Sequence, residues 1–112
     1  MRHPDERTEL YAEPPTVALD DVVHQRTRLG ILVVLAEAGR AEFTYLKRRL
    51  HLSDGNLSRH LDVLIRAGFV EASKDSGSGR SRTWLRMTRN GKAALRAELR
   101  VMRSLLAIVD VG

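Results

Sequence analysis

The sequence predicts a mainly α-helical domain that carries one small β-hairpin and ends in a long helix. Two spacing patterns point to this fold. Short segments with leucines three or four residues apart surround a tight turn, and segments of strand-forming residues flank a glycine-rich stretch at residues 75–81. The length of 112 residues is that of one domain with a single core.

The N-terminal part is predicted to be a flexible arm followed by the first helix. Residues 1–18 carry three prolines, mixed charge and no helical period, which is typical of a lead-in segment ahead of a domain that covers 19–112. Residues 19–39 form the helix, which Asp20 or Asp21 can cap and Gly39 ends. This helix is expected to be central in the core, because its second half is apolar almost all round.

The middle of the chain contains two further short helices joined by a tight turn. The first runs from Tyr45 to Leu50, with Thr44 as its predicted cap. Residues 51–52 make the turn, and Ser53 caps the second helix, which ends near Ala67. Two short helices connected in this way are a helix-turn-helix.

A β-hairpin is predicted directly after this pair of helices. Residues 69–74 and 82–87 read as its strands, the stretch 75–81 is its glycine-rich basic tip, and a further short strand is predicted at 41–43. A basic hairpin in this position is a wing. The predicted fold is therefore a winged helix-turn-helix.

The distribution of charge favours a polyanionic partner. Over residues 1–43, five arginines against eight acidic residues give a net charge of −3. Over residues 44–112, fourteen lysines and arginines against six acidic residues give +8. A small domain whose basic charge is concentrated in one part is typical of nucleic-acid binding.

The composition also argues against several classes of chemistry. The chain has no cysteine, which excludes disulfides, thiolate metal sites and iron–sulfur clusters within it. No catalytic triad or carboxylate pair can be recognised, so we expect no enzyme activity and no cofactor. The four histidines form no close ligand pattern, so we expect no metal site within the chain; a histidine–aspartate site assembled across a dimer stays open. No segment is long and apolar enough for a membrane span, and no signal peptide is apparent. We expect a cytoplasmic protein that is found at the nucleoid when bound to DNA.

The second helix of the pair has the two faces expected of a helix that reads DNA. Leu57, Leu61 and Leu64 share one side, and the opposite side is polar. Arginine can pair with guanine, asparagine with adenine, and serine with a base or a phosphate, while a glycine lets a phosphate approach closely. A merely solvated face is the alternative, which the neighbouring turn and wing disfavour. The residues predicted to position and read the major groove are Ser53, Gly55, Asn56, Ser58 and Arg59.

Basic residues around this helix are predicted to hold the DNA backbone. They are Lys47, Arg48, Arg80 and Arg82. Arg80, at the tip of the wing, is the best single candidate and could also reach into a narrow minor groove.

The segment Leu46–Val70 resembles the core of the small MarR/ArsR-like winged helix-turn-helix transcriptional regulators of bacteria, whose recognition helix begins Ser/Thr-Asp-Gly-Asn-Leu. The resemblance covers about residues 20–108 and implies a DNA-binding transcriptional regulator. Two positions depart from the family. His51 stands where the family usually has a glycine in left-handed backbone. Gln25 follows His24 where relatives often carry proline, so the first helix is predicted to run unbroken.

The last helix is predicted to begin after its cap Thr88, to end near Val109 and to mediate dimerisation. Its apolar residues recur at spacings of four and three, which is typical of a coiled-coil seam. A helix of about 30 Å is longer than such a small core can cover, so the excess face is expected to pair with a second copy in a homodimer. A helix folded back on its own domain is the alternative. The predicted dimerisation residues are Leu95, Leu99, Met102, Leu106 and Val109.

Two other functions remain open at this stage. The basic face could dock an acidic protein partner, or the protein could bind DNA without sequence preference as a nucleoid-associated protein. In addition, the family resemblance implies a possible site for a small-molecule effector between the first helix, the base of the wing and the last helix.

Overall fold

The computed structural model describes residues 14–77, 79 and 81–109. These residues form the predicted mainly α-helical domain with a small sheet and a long last helix. In chain order, the elements are α1 (Asp21–His24), α2 (Arg26–Ala38), β1 (Arg40–Glu42), α3 (Phe43–Arg49), α4 (Asp54–Arg66), β2 (Val70–Asp75), β3 (Arg82–Met87) and α5 (Arg89–Ile108). Ahead of α1, Pro15–Ala18 form a turn of 3-10 helix. The rest of the predicted arm, up to residue 13, lies outside the described ranges. Among the described residues, no helix is both long enough and apolar enough to cross a membrane.

The first predicted helix is broken, so the prediction of an unbroken helix over 19–39 is wrong. Asp20 caps α1 by accepting hydrogen bonds from the backbone N–H groups of Val22 and Val23. The backbone of Gln25 is extended (φ −65°, ψ 131°), and its side chain accepts a 2.9 Å bond from the N–H of Arg28. The chain thus stops one helix and caps the next at the same residue, without needing a proline. The predicted end at Gly39 is confirmed, with a φ of 81°.

The short α1 lies beside the last helix and is tied to it through a buried carboxylate. Glu98 of α5 is 2% exposed, and its Oε2 accepts a 2.9 Å hydrogen bond from the N–H of Asp20. Its Oε1 lacks a hydrogen-bond partner among the described residues. However, His24 Nδ1 lies 3.2 Å from it, which makes an ion pair when His24 is protonated. Removing this carboxylate from water would cost several kcal/mol without such partners, so the contacts fix α1 against α5.

The core is built around α2, as predicted, but one side of this helix faces solvent. Ile31, Leu32 and Leu35 are at most 1% exposed and pack in the same cluster as the buried leucines of α3 and α4. Val33 of the same helix is 45% exposed. The apolar sequence of α2 therefore does not mean that the helix is buried on every side.

The helix-turn-helix consists of α3 and α4. The helix α3 begins at Phe43 rather than after Thr44, so the predicted cap at Thr44 is wrong; Glu42 takes the cap position without a side-chain hydrogen bond. His51 has a φ of 55°, which confirms the left-handed backbone expected at this turn. Ser53 caps α4 as predicted, accepting a 3.2 Å bond from the N–H of Asn56.

The strands form one antiparallel sheet in the order β1-β3-β2. In the central strand, Leu85 stands opposite Ala41 of β1 and Ala72 of β2. Leu85 and Met87, two residues apart on one face of β3, are buried against the helices. The hairpin β2–β3 is the wing.

The last helix is fixed to the base of the wing by close backbone packing. Thr88 caps α5 as predicted and also donates a hydrogen bond from its hydroxyl to the carbonyl of Gly68. A Cβ at Gly91 would lie only 2.0 Å from the carbonyl oxygen of Phe69. Only glycine fits there, so the wing and α5 meet at a fixed junction.

Candidate nucleic-acid interface

The helix α4 presents the two faces that the sequence predicts. Leu57, Leu61 and Leu64 are at most 4% exposed and anchor the helix to the core. The side chains predicted to read DNA are all exposed on the rest of its surface, namely Ser53, Gly55, Asn56, Ser58 and Arg59. A helix held by one apolar side and free on the other can enter a groove without disturbing the core.

Two of these exposed side chains contact each other. Arg59 Nη2 lies 3.4 Å from Asn56 Oδ1, one helical turn away. The contact places a guanidinium and an amide side by side, and both carry donors that base edges can accept. The Ser53 hydroxyl, by contrast, is engaged as the cap of α4, where it holds the first turn.

Gly55 lies in the first turn of α4 beside open space. A Cβ built at this position meets no atom within 4 Å. The free protein therefore has no packing requirement for glycine here, in contrast to Gly91.

His60 turns toward the protein rather than outward. Its Nδ1 lies 3.3 Å from Nη1 of Arg28, whose guanidinium is itself held by the carbonyls of Val22 (2.6 Å) and Asp21 (3.2 Å). This cluster links α4 to α1 and α2. Burial and then the charges of Arg28 and Arg59 lower the pKa of His60 below its ordinary value of 6.5, so His60 is the acceptor in this contact at neutral pH.

The lowered pKa of His60 predicts a loss of stability in acid. The unfolded chain binds a proton at this histidine near pH 6.5, where the folded chain does not, so the free energy of unfolding should fall as the pH drops through 6.5 toward the lower folded pKa. The contribution is fully present above that range. Thermal unfolding between pH 7.5 and 5 should show a smaller loss in His60→Gln, which offers Arg28 an uncharged acceptor. Identical pH profiles would contradict this assignment.

Three of the four cations predicted to hold phosphates are described by the structure, and two of these three are paired with carboxylates. Lys47 Nζ lies 2.9 Å from Asp54 Oδ1, and Arg82 Nη1 lies 3.5 Å from Glu42 Oε1. Arg48 makes no ion pair with any described residue and is exposed. Arg80 lies outside the described residues.

The structure brings Arg48 and Arg82 together, although they are distant in sequence. Both line an open groove of about 560 Å³ between the start of α3 and the wing, together with the hydroxyl-bearing Thr44 and Ser81. The carboxylate of Glu42 lies in the same groove. Glu42 is not recognisable from the sequence as part of this site, because its pairing with Arg82 depends on the alignment of β1 with β3.

The predicted dimerisation residues divide into two groups along α5. Leu95 is buried in the chain's own core at 6% exposure, and Leu99 packs partly against that core. Met102 is half-buried, while Leu106 and Val109 are 72% and 55% exposed. The apolar face of α5 is thus covered by its own domain in the first half and uncovered in the second.

A second groove lies where the effector site is predicted. It has a volume of about 280 Å³ and is bordered by Ala36 of α2, Met87 of β3 and Leu95 and Leu99 of α5, with Lys92 and Arg96 at its rim. The effector itself stays a prediction. Within residues 14–77, 79 and 81–109, no cluster of three or more histidines and carboxylates could hold a metal ion.

Comparison with known proteins identifies the family. The family described as a winged helix DNA-binding domain matches residues 27–106, and the chain belongs to that family. The match includes the helix-turn-helix, the wing and most of α5.

Individual proteins and solved structures are also similar to this chain. The uncharacterized protein MJ0432 of Methanocaldococcus jannaschii is 42% identical over 69 residues, which are 62% of this chain and 75% of that protein. A transcriptional regulator homologue from Pyrococcus horikoshii OT3 is similar in structure, with 29% identity, a TM-score of 0.77, and coverage of 80% of this chain and 89% of that one. A MarR family transcription regulator aligns at 26% identity and a TM-score of 0.61, over 73% of this chain and 54% of its own. The MarR-like resemblance found in the sequence is therefore confirmed.

Proposed function

We propose that this protein is a sequence-specific transcriptional regulator that binds double-stranded DNA as a homodimer. The observation that carries the proposal is the exposed polar face of α4 in a chain of a DNA-binding family. A groove lined by two arginines between α3 and the wing adds support. The helix α4 enters the major groove, and the wing lies along phosphates and reaches toward the minor groove.

In this proposal, Asn56 and Arg59 read bases, and Ser58 contacts a base or a phosphate. Both Asn56 and Arg59 lie in the first two turns of α4, the part of a recognition helix that goes deepest into the groove. Their mutual contact at 3.4 Å orients the guanidinium before binding, which lowers the entropy lost on recognition.

The dimer uses the uncovered half of α5. Isolated apolar residues are common on protein surfaces, but Leu106 and Val109 are both more than half exposed and lie three residues apart at the end of α5, on the same side of it. Pairing this end with a second copy covers it. A two-fold dimer also places two recognition helices about 34 Å apart, which matches successive major grooves.

The test is a selection from random duplexes with the purified protein at two salt concentrations. We expect a palindromic motif with half-sites about one helical turn apart. Binding without a motif would instead indicate a nucleoid-associated protein. The absence of binding to any duplex would reject DNA as the partner and favour an acidic protein.

Gly55→Ala is expected to separate stability from binding. An added Cβ meets open space in the free protein, and alanine is favoured over glycine in a helix by up to about 1 kcal/mol, so the thermal midpoint should rise. If a phosphate approaches the first turn of α4, the same methyl group obstructs it and the affinity for DNA falls severalfold. A more stable variant with unchanged DNA affinity would remove Gly55 from the interface.

A further inference from the structure

The groove between α3 and the wing contains a carboxylate of the protein itself. Glu42, the last residue of β1, projects its carboxylate into the space that Arg48, Arg82, Thr44 and Ser81 line. The side chain of Glu42 is 30% exposed, so the carboxylate is partly covered by these neighbours.

The contacts of this carboxylate are those that a phosphate group would make. Oε1 lies 3.5 Å from Nη1 of Arg82, and Oε2 accepts a 3.4 Å hydrogen bond from the hydroxyl of Thr44. A guanidinium and a hydroxyl are among the groups that most often hold DNA phosphates. Arg48, which forms no ion pair with any residue that the structure describes, adds a positive charge at the same groove.

We propose that the groove is a binding site for a DNA backbone phosphate and that Glu42 occupies the position of this phosphate in the free protein. The inference rests on the proposed function, because it concerns how the same interface binds DNA. A phosphate can pair with Arg82 only by displacing the carboxylate of Glu42. The displaced carboxylate then lies close to the DNA, where it repels the negative backbone. Glu42 therefore lowers the affinity for DNA of any sequence.

The proposed role of Glu42 predicts how the affinity for DNA depends on salt concentration. Each phosphate contact contributes about 0.9 to the negative slope of log K against log salt concentration for duplex DNA. If Glu42 cancels the contribution of one phosphate contact, replacing it with a neutral residue should make the slope more negative by about 0.9. At roughly 0.1 M salt, this corresponds to binding that is about five to ten times tighter.

The variant Glu42→Gln tests this without disturbing the fold. Glutamine keeps the shape and an oxygen that can accept from Thr44, and the side chain of Glu42 makes no capping bond that α3 would lose. The matched control is Glu71→Gln, which removes an equal charge from another arginine pair of the sheet, since Glu71 Oε1 binds Arg86. Thermal unfolding of both variants checks that they remain folded.

The measurement is binding to a mixed-sequence duplex across a series of salt concentrations. We expect Glu42→Gln to bind more tightly with a steeper slope, and Glu71→Gln to remain close to the wild type. We also expect that Arg82→Ala removes the gain, so that the double variant binds no more tightly than Arg82→Ala alone. A gain that survives Arg82→Ala, or an equal gain in Glu71→Gln, would overturn the proposal in favour of general charge repulsion.

Retention on a heparin column separates failure of this inference from failure of the proposed function. If the wild type selects a DNA motif but Glu42→Gln changes neither the slope nor the salt needed for elution, only the role of Glu42 is rejected. If no protein form binds duplex but Glu42→Gln still elutes later than Glu71→Gln, the groove is an anion site and DNA is not its ligand. If the two variants also elute together, both proposals fail.

Discussion

Replacing Leu106 with aspartate is expected to produce a folded monomer that binds its selected duplex at least about a hundredfold more weakly. Leu106 is 72% exposed in the single chain, so the substitution removes little contact within the domain. A charge placed in an apolar interface is costly to bury, which should dissociate the proposed dimer. The affinity then falls because two linked half-site contacts become one, and such linkage contributes about 10²–10⁴.

The control for this prediction is Ser104→Asp, which adds the same charge to the same region of α5. Ser104 is exposed and roughly opposite Leu106 around the helix, so its aspartate should remain in solvent. Sedimentation would measure the mass, and titration of the selected duplex would measure the affinity. Leu106 tests the interface more directly than Leu99 does. Because Leu99 packs partly against the chain's own core, an aspartate there could unfold the domain as well as dissociate the dimer. An unchanged mass for Leu106→Asp would exclude this end of α5 from the interface.

Arg59→Ala is expected to weaken binding to the selected duplex more than to a mixed-sequence duplex. Arginine bound to a guanine through two hydrogen bonds contributes about 1–3 kcal/mol of discrimination, so the selected site should lose about tenfold or more. The mixed-sequence duplex should lose only the effect of one positive charge. The selection repeated with the variant should also relax the motif at one position of each half-site.

Arg66→Ala is the matched control, because Arg66 is an arginine of the same helix whose side chain is 80% exposed and pairs with Asp62. It lies at the far end of α4, beyond the first two turns. We expect a small loss that is equal on both duplexes. Equal losses for Arg59→Ala on the two duplexes would assign Arg59 to the backbone rather than to a base.

The features predicted correctly from the sequence depend mostly on neighbours in the chain. The caps Ser53 and Thr88 each bond an N–H three residues ahead, and such short-range chemistry is visible in a sequence. The left-handed turn at His51 was implied by the family resemblance, because the family usually has a glycine at this position. The polar and apolar faces of α4 follow from helical spacing alone.

The features that were missed depend on contacts between residues far apart in the sequence, or on a side chain that caps a helix where none was expected. The contact of Arg28 with His60 joins residues 32 positions apart, and that of Glu42 with Arg82 requires the pairing of β1 with β3. The break at Gln25 was missed because glutamine is a weak signal for a helix end, whereas its side chain here caps α2. The seam of α5 was predicted as one surface, but the core uses its first half and leaves only the second half uncovered.

The break at Gln25 determines how the two ends of the domain are connected. Because α1 is a separate piece, its first residues face Glu98 on the last helix, while the carbonyls of Asp21 and Val22 hold the arginine that reaches His60 on α4. A single turn of helix is thereby bonded on one side to α5 and, through Arg28, on the other side to α4. We therefore expect a change in the tilt of α5 to be passed to α4 through these bonds. In the proposed dimer, α5 sets the distance between the two DNA-binding domains, and α4 enters the groove. A shift of α5 would then also shift α4.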